Sequence, residues 1–494
     1  MIRYSLLVIA MLIIAGMSFK NWYRGLCFML PLLAVLERPD MPRTMLGIGG
    51  LNPFNILLGI ILLCWLVQRR HDGSHWNANR TMTRLFVLYM VVIVVSTIRM
   101  AMDLESLQYA YLLAGREVTG LGDLLKNEVF NTFKWLLVGL LISVGARSEQ
   151  HVRLALTGVL ITGALLGMQV ISKMLPGLTG ADDLAERALR VLDRDLGYHR
   201  VDLAAIMASV SWAFLASQPI LKTEFRKLIS IGGFGLCTIA MVATGGRAGM
   251  VSWAAGAFVM GFLRWRKILF LVPVFAILAL ALIPGLQDRL TQGFSGNENV
   301  EQAQRRAEMG AIDDSGRDNY AITSGRIVVW PLVIDKAMEK PLIGHGREAM
   351  QRTGIVAALE ENYGITSFGH PHNAFLQLFI DTGFIGLVIV GLFYWKLFRI
   401  AAKEFAEPST NTRYVVASMA VAFLVVNMTA SLGSQSFYPT QGATLYWIVI
   451  GLSLALLTPK EPAPAAPRSR ARRESVSDGT KSGSGSSNLT YPVR

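Results

Sequence analysis

The chain has 494 residues, 52% of them hydrophobic and only 16% charged, with a formal net charge of +13. Soluble domains average about 25% charged residues, so this composition excludes a water-soluble globule. The positive charge falls in short clusters between apolar runs, the distribution of loops held on one side of a membrane, which argues against nucleic acid as a partner.

A hydrocarbon core about 30 Å thick needs about 20 mostly apolar residues per helix. On that measure spans are predicted near 4–19, 24–37, 51–68, 84–101, 129–146, 152–174, 201–217, 227–244, 246–264, 267–284, 373–396, 412–431 and 440–457. The first reads as a retained span or uncleaved signal-anchor. The second is short and holds Pro31, so the count is twelve or thirteen. The predicted fold class is all-α, a polytopic integral membrane protein. Cys27, Cys64 and Cys237 lie within apolar runs and read as small hydrophobes, not as a disulfide set or metal site.

Basic clusters fix the orientation. Arg69, Arg70, Arg80 and Arg84 form one, Lys222, Arg226 and Lys227 a second, Arg264, Arg266 and Lys267 a third, and Lys396, Arg399 and Lys403 a fourth. They alternate along the chain, so all four are cytoplasmic together. The connections 102–128, 175–200, 285–371 and 432–439 are then extracytoplasmic. Residues 285–371 carry nine Lys/Arg and twelve Asp/Glu, and a loop of that length is uncommon without a function. The predicted organisation is one transmembrane domain over 1–458, with the 285–371 loop inserted, and a basic Pro/Ser/Gly-rich tail over 459–494, disordered and cytoplasmic.

Four stretches hold side chains suited to chemistry, all on the outer side. In "VATGGRAGM", Val242 to Met250, Arg247 sits in a Gly-rich turn between two apolar runs. Arginine at membrane depth faces a cavity or an anion, or snorkels to headgroups; both readings fit here. Its planar guanidinium suits phosphate. In "SGRIVVWPLVIDKAME", Ser324 to Glu339, helical periodicity follows a Ser–Gly turn and puts Arg326 near a helix N-terminus, a place that favours anions. An ordinary interfacial helix fits the apolar stripe as well. In "HPHNAF", His370 to Phe375, Pro371 makes a rigid entry turn and Asn373 a helix N-cap. His370 and His372 are thereby held at the membrane surface, fit for proton transfer near neutral pH or simply starting a helix. The cluster Arg187, Arg190, Arg194, His199 and Arg200 is interleaved with Asp193 and Asp195, the pattern of a solvated, ion-paired helix. Arg190 or Arg200 can still reach a phosphate. His345, in "GHG", reads as a turn residue. Walker A, His-Glu-x-x-His and Gly-x-Ser-x-Gly patterns are absent from the sequence, and no cofactor or metal is expected.

Taken together, these stretches resemble the O-antigen ligase/polymerase superfamily. "HPHNAFLQLFIDTGFIGL" (His370–Leu387) is similar to its His-Asn, Leu-Gln, Gly-x-x-Gly signature. "TGGRAG" (Thr244–Gly249) is similar to its Ser/Thr-Arg-Gly turn, and "SGRIVVWPLVIDKAMEKPLIGHG" to its Gly-Arg, Trp, Pro-Leu-x-Gly-x-Gly loop. Two departures stand out. Ala248 follows the arginine, and His199-Arg200-Val201-Asp202 stands where an Asn-Pro-Asn-like turn is common. The resemblance implies a glycosyltransferase of the bacterial inner membrane, with its site on the periplasmic face. It implies transfer of a glycan from a polyprenyl-diphosphate carrier to a glycolipid or glycan acceptor, inverting and without a metal. His372, Arg247 and Arg326 would be catalytic, and His370, Asn373, Arg190 and Arg200 would bind substrate. A polymerase joining lipid-linked repeats shares these motifs with a ligase acting on lipid A–core. A secondary transporter is the non-enzyme reading; it would place ionisable groups near mid-membrane on broken helices of repeated halves.

Overall fold

The computed structural model describes residues 2–36, 38–45, 48–113, 120–178, 184–282, 325–363, 369–433 and 437–458. The tail predicted over 459–494 and much of the 285–371 loop lie outside the described residues. The helices of eight residues or more begin with α1 (Ile2–Lys20), α2 (Trp22–Met29), α3 (Pro53–Gln68), α4 (Arg80–Ala101) and α5 (Leu104–Leu113). Then come α6 (Asn131–Gly145), α7 (Glu149–Leu178), α8 (Leu184–Leu196), α9 (Arg200–Ser217), α10 (Glu224–Ala243), α11 (Arg247–Leu263) and α12 (Arg266–Leu282). The last are α13 (Arg326–Glu339), α14 (Ile355–Tyr363), α15 (Ala374–Ala406), α16 (Thr412–Ala430) and α17 (Thr444–Leu456). A two-residue antiparallel pair, Thr44–Met45 with Ile48–Gly49, is the only extended pairing among the described residues.

The chain is an all-α, multi-pass membrane protein, as predicted. Among the described residues eight helices are long and apolar enough to cross a membrane. Four more apolar segments are shorter: Trp22–Leu36, Pro53–Gln68, Arg247–Leu263 and Gln441–Leu456. The predicted 24–37 span is short because Pro31 tightens the backbone into a 3-10 turn at Leu30–Leu32. Centre and rim differ sharply. In α9 and α16, 78% of the span is buried, against 22% in α1. Large apolar side chains such as Phe225, Phe258, Phe262 and Trp395 face outward, an arrangement that lipid tolerates and water does not.

Small residues let the central helices touch, because between helices in lipid it is close packing that holds. A Cβ on Gly249 of α11 would overlap Ala204 of α9, and one on Gly451 of α17 would overlap the Gly139 carbonyl of α6. Trp212 of α9 and Trp253 of α11 then stack with centroids 4.9 Å apart.

One helix is broken inside its span. Gly383 of α15 has φ 68° and ψ −171°, outside any helix. The break leaves backbone groups that hydrocarbon cannot satisfy. The loop after α13, Pro341 to Gly346, takes them up. His345 N–H donates to Ile380 O at 2.8 Å and Gly346 N–H to Asp381 O at 2.8 Å, while Phe384 N–H donates to Pro341 O at 2.7 Å. The loop's own carbonyls are held by Arg99, which donates to Gly344 O at 2.7 Å, and by Arg352, which donates to His345 O at 2.7 Å. His345 is buried, its Nε2 2.8 Å from Lys336 O, in the turn role expected of it.

The basic ends gather opposite the candidate residues. Pro219, Arg264, Arg266, Lys267 and Pro408 line one cleft of about 1010 Å³ where the α9–α10, α11–α12 and α15–α16 connections meet.

Candidate functional site

The α10–α11 hairpin turns through Thr244-Gly245-Gly246, with Gly245 at φ 63°, a backbone state that favours glycine. Thr244 Oγ1 accepts from Gly246 N–H at 3.2 Å, which closes the turn. Arg247 therefore opens α11 at the rim of the bundle. A Cβ on Gly246 would sit 2.9 Å from Ala204 Cβ and 3.7 Å from Arg200 O, so this turn lies against the start of α9.

Arg326 opens α13 after Gly325, whose φ of 82° reverses the chain. Its Nη2 donates to Gly433 O at 3.4 Å. Its Nε is buried and has no hydrogen-bond partner among the described residues. A Cβ built on Gly433 would lie 3.3 Å from Ala248 Cβ and 3.8 Å from Arg326 Nη2, so the residue after Arg247 and the Arg326 guanidinium share one neighbour. Burial lowers the Arg326 pKa, and the positive charge of Arg247 lowers it further. Two cations held this close to one another stabilise an anion between them and destabilise each other without one.

The histidines sit just before α15. Asn373 caps that helix as expected, its Oδ1 accepting from Phe375 N–H at 3.0 Å and Leu376 N–H at 3.1 Å. Trp330 of α13 donates from Nε1 to Pro371 O at 2.9 Å, and Ala374 N–H donates to Ser431 O at 2.7 Å. His372 has φ 48°, an uncommon state for a residue with a Cβ. The rings of His370 and His372 meet edge to face with centroids 4.1 Å apart. His370 Nδ1 accepts from His372 N–H at 3.2 Å, so neutral His370 carries its proton on Nε2. Burial pushes the His372 pKa down to about 3, helped by His370, Arg326 and His199. His370 is pushed down to about 4 by burial and by His199. Both imidazoles are neutral at pH 7 and present lone pairs rather than charge.

The structure thus brings together His372, His370, Asn373, Arg247 and Arg326 from three separated stretches. Arg200 opens α9 beside them, and His199, next to it, acts electrostatically on both other histidines. Arg190 is exposed on α8. In that region Asp195 pairs with Lys173 at 2.8 Å and Arg194 at 3.1 Å, the ion-paired surface anticipated for it. The N-termini of α9, α11, α13 and α15 all carry these groups. Helix N-termini present free N–H groups and a partial positive charge, so the cluster is built to bind an anion.

Three contributors were not singled out from the sequence. The Ser431–Gly433 carbonyls act by tertiary position, for which the sequence holds no local sign, while Trp330 belongs to a quoted motif but carried no predicted role at the site. Asp381 is fully buried within α15. An acid inside an apolar run was a visible signal.

Residues 232–391 match a family model described as O-Antigen ligase, a stretch that contains Arg247, Arg326 and His372. No curated protein matches the chain.

Proposed function

We propose that this chain, whose residues 232–391 match the O-antigen ligase family, transfers a glycan from a polyprenyl-diphosphate carrier to a sugar hydroxyl of lipid A–core. The site lies at the periplasmic face of the bacterial inner membrane. The family match supports glycan transfer of the ligase or polymerase type; donor, acceptor and mechanism are our reading. The observation that carries it is the meeting of two arginines and a neutral imidazole at the mouths of four apolar or interfacial helices.

In this mechanism the acceptor hydroxyl oxygen attacks the anomeric carbon from the side opposite the leaving group, and the configuration inverts. The bond between that carbon and the diphosphate oxygen breaks, and its electron pair stays with the carrier as polyprenyl diphosphate. Arg247 and Arg326 hold the charge that grows there. Removing one such group from a transition-state site typically costs about 10²–10³ in rate. The hydroxyl proton goes to His372, with general-base help of about 10²–10⁴. The same arginine charge that depresses the His372 pKa is neutralised when diphosphate binds, so the imidazole becomes a better base when the donor is in place. His370, Asn373 and Arg200 shape and orient the site.

The test is glycan transfer by purified protein from a defined diphospholipid-linked glycan. His372→Ala, Arg247→Ala and Arg326→Ala each lose at least a hundredfold while remaining in the membrane. Normal transfer by all three removes the assignment. A deletion strain that accumulates long lipid-linked chains and lacks polymer on lipid A indicates a ligase, whereas single repeats on lipid A–core indicate a polymerase.

A further inference from the structure

A second polar hollow lies beside the arginine cluster, and the proposed mechanism makes no use of it. It has a volume of about 250 Å³ and is lined by Glu128, Trp135, Arg347, Glu348, Gln377, Asp381 and Tyr438 among others. That is the room of about eight waters, the scale of one sugar ring with its hydroxyls. Gln377 stands one helical turn, about 6 Å, beyond Asn373 on α15. Gly433 O receives Arg326, and Tyr438, five residues on, donates its O–H to Asp381 Oδ2 at 2.7 Å, so neighbouring residues serve both places.

The walls are fixed by their own bonds. Gln377 Nε2 donates to Asp381 Oδ2 at 2.7 Å, and Ala349 N–H donates to Asp381 Oδ1 at 3.2 Å. Arg347 pairs with Glu128 at 2.8 Å, donates to Thr132 Oγ1 at 3.2 Å and lies 4.8 Å over the Tyr438 ring. Glu128 comes from a short π-helical stretch, Leu125–Phe130, a distortion found often at functional sites. Gln377 is 5% exposed, and its Oε1 has no hydrogen-bond partner among the described residues. A buried acceptor left open in this way is unfavourable, and a ligand hydroxyl would satisfy it.

The charge of this hollow is the reverse of its neighbour's. Three carboxylates face one guanidinium, so a diphosphate or an acidic sugar is repelled while hydroxyl donors find acceptors on several sides. We propose that this hollow is the subsite for the acceptor, holding one neutral pyranose unit so that its partner hydroxyl is presented to His372. The inference rests on the glycan-transfer reading of the neighbouring cluster.

The test uses purified full-length protein in proteoliposomes, a diphospholipid-linked glycan as donor and de-O-acylated rough lipopolysaccharide as acceptor. Gln377→Met and the milder Thr132→Val raise the acceptor KM tenfold or more and leave the donor KM within twofold. Methyl α-glucoside competes with the acceptor, and methyl glucuronide does not. An unchanged acceptor KM in both variants, a raised donor KM alone, or competition against the donor would overturn the assignment. Saturation-transfer NMR with methyl α-glucoside, on wild type and Gln377→Met, reads the hollow without turnover. Loss of the signal in the variant supports the subsite even if the wild type transfers no glycan, in which case the failure belongs to the transfer reading. A signal equal in both proteins, or absent from both, sinks the subsite.

Discussion

Substituting Gly383 by alanine tests whether the broken helix and the loop seated in it form one mechanical joint. At φ 68° and ψ −171° the backbone lies where essentially only glycine is stable, and forcing another residue there costs about 1–3 kcal/mol. The added methyl would also overlap the Leu342 carbonyl. Relieving that overlap lifts the loop, which releases Phe384 N–H from Pro341 O at 2.7 Å and Ile385 N–H from Leu342 O at 3.2 Å. Each such loss costs about 1 kcal/mol or more in a buried setting. Together these give a destabilisation of about 3–5 kcal/mol. Gly391, on the same helix, has open space around its Cβ position, so Gly391→Ala instead gains up to about 1 kcal/mol of helix propensity. Unfolding by SDS in mixed micelles, followed by far-UV circular dichroism, compares the two variants. Equal midpoints for Gly383→Ala and Gly391→Ala would refute the reasoning. Because the joint ties α13, which carries Arg326, to α15, which follows His372, transfer activity falls with stability in the first variant only.

Arg326→Lys keeps the charge but not the planar fork, so glycan transfer drops at least tenfold, measured at matched membrane expression. Trp330→Phe loses the bond to Pro371 O and about 1 kcal/mol, read as a lower SDS midpoint; kcat falls more than donor KM rises. The pH dependence follows from the histidines. Their folded pKa values, about 3 for His372 and about 4 for His370, lie below the ordinary 6.5, so the unfolded chain binds more protons between pH 6.5 and those values. Stability therefore falls as pH drops through that window, and His370→Asn/His372→Asn flattens the acid-unfolding curve. For the same reason kcat/KM at low donor stays level from neutral pH to about pH 5, where an ordinary histidine base would already lose activity; a midpoint near 6.5 contradicts the burial of His372.

Much of this was legible in one dimension. Apolar runs specified the helices because hydrocarbon demands length and internal hydrogen bonding, and Pro31 announced one of the four that fell short. Asn373 as a cap, Gly325 before α13 and the glycine turn at Gly245 follow from local backbone chemistry. Local pattern does not encode what happens between distant segments. The seating of Pro341–Gly346 in the break at Gly383 needs two strands of reasoning to meet in space, although a Gly-His-Gly turn and a Gly-x-x-Gly helix were each plain. Asp381, a single acid within "FIDTGFIGL", looks like part of a span in one dimension, while its three hydrogen-bond donors are Gln377 of α15, the Ala349 N–H and Tyr438.

If the donor is the diphospholipid proposed above, paired guanidiniums at the bilayer edge grip its pyrophosphate whether or not a saccharide is still attached. The spent carrier is then as well held as the loaded one, and it carries one more ionisable oxygen. Turnover in such an arrangement is governed by how fast the empty lipid slips away sideways, so the enzyme would idle in a membrane where recycling of that carrier has stalled.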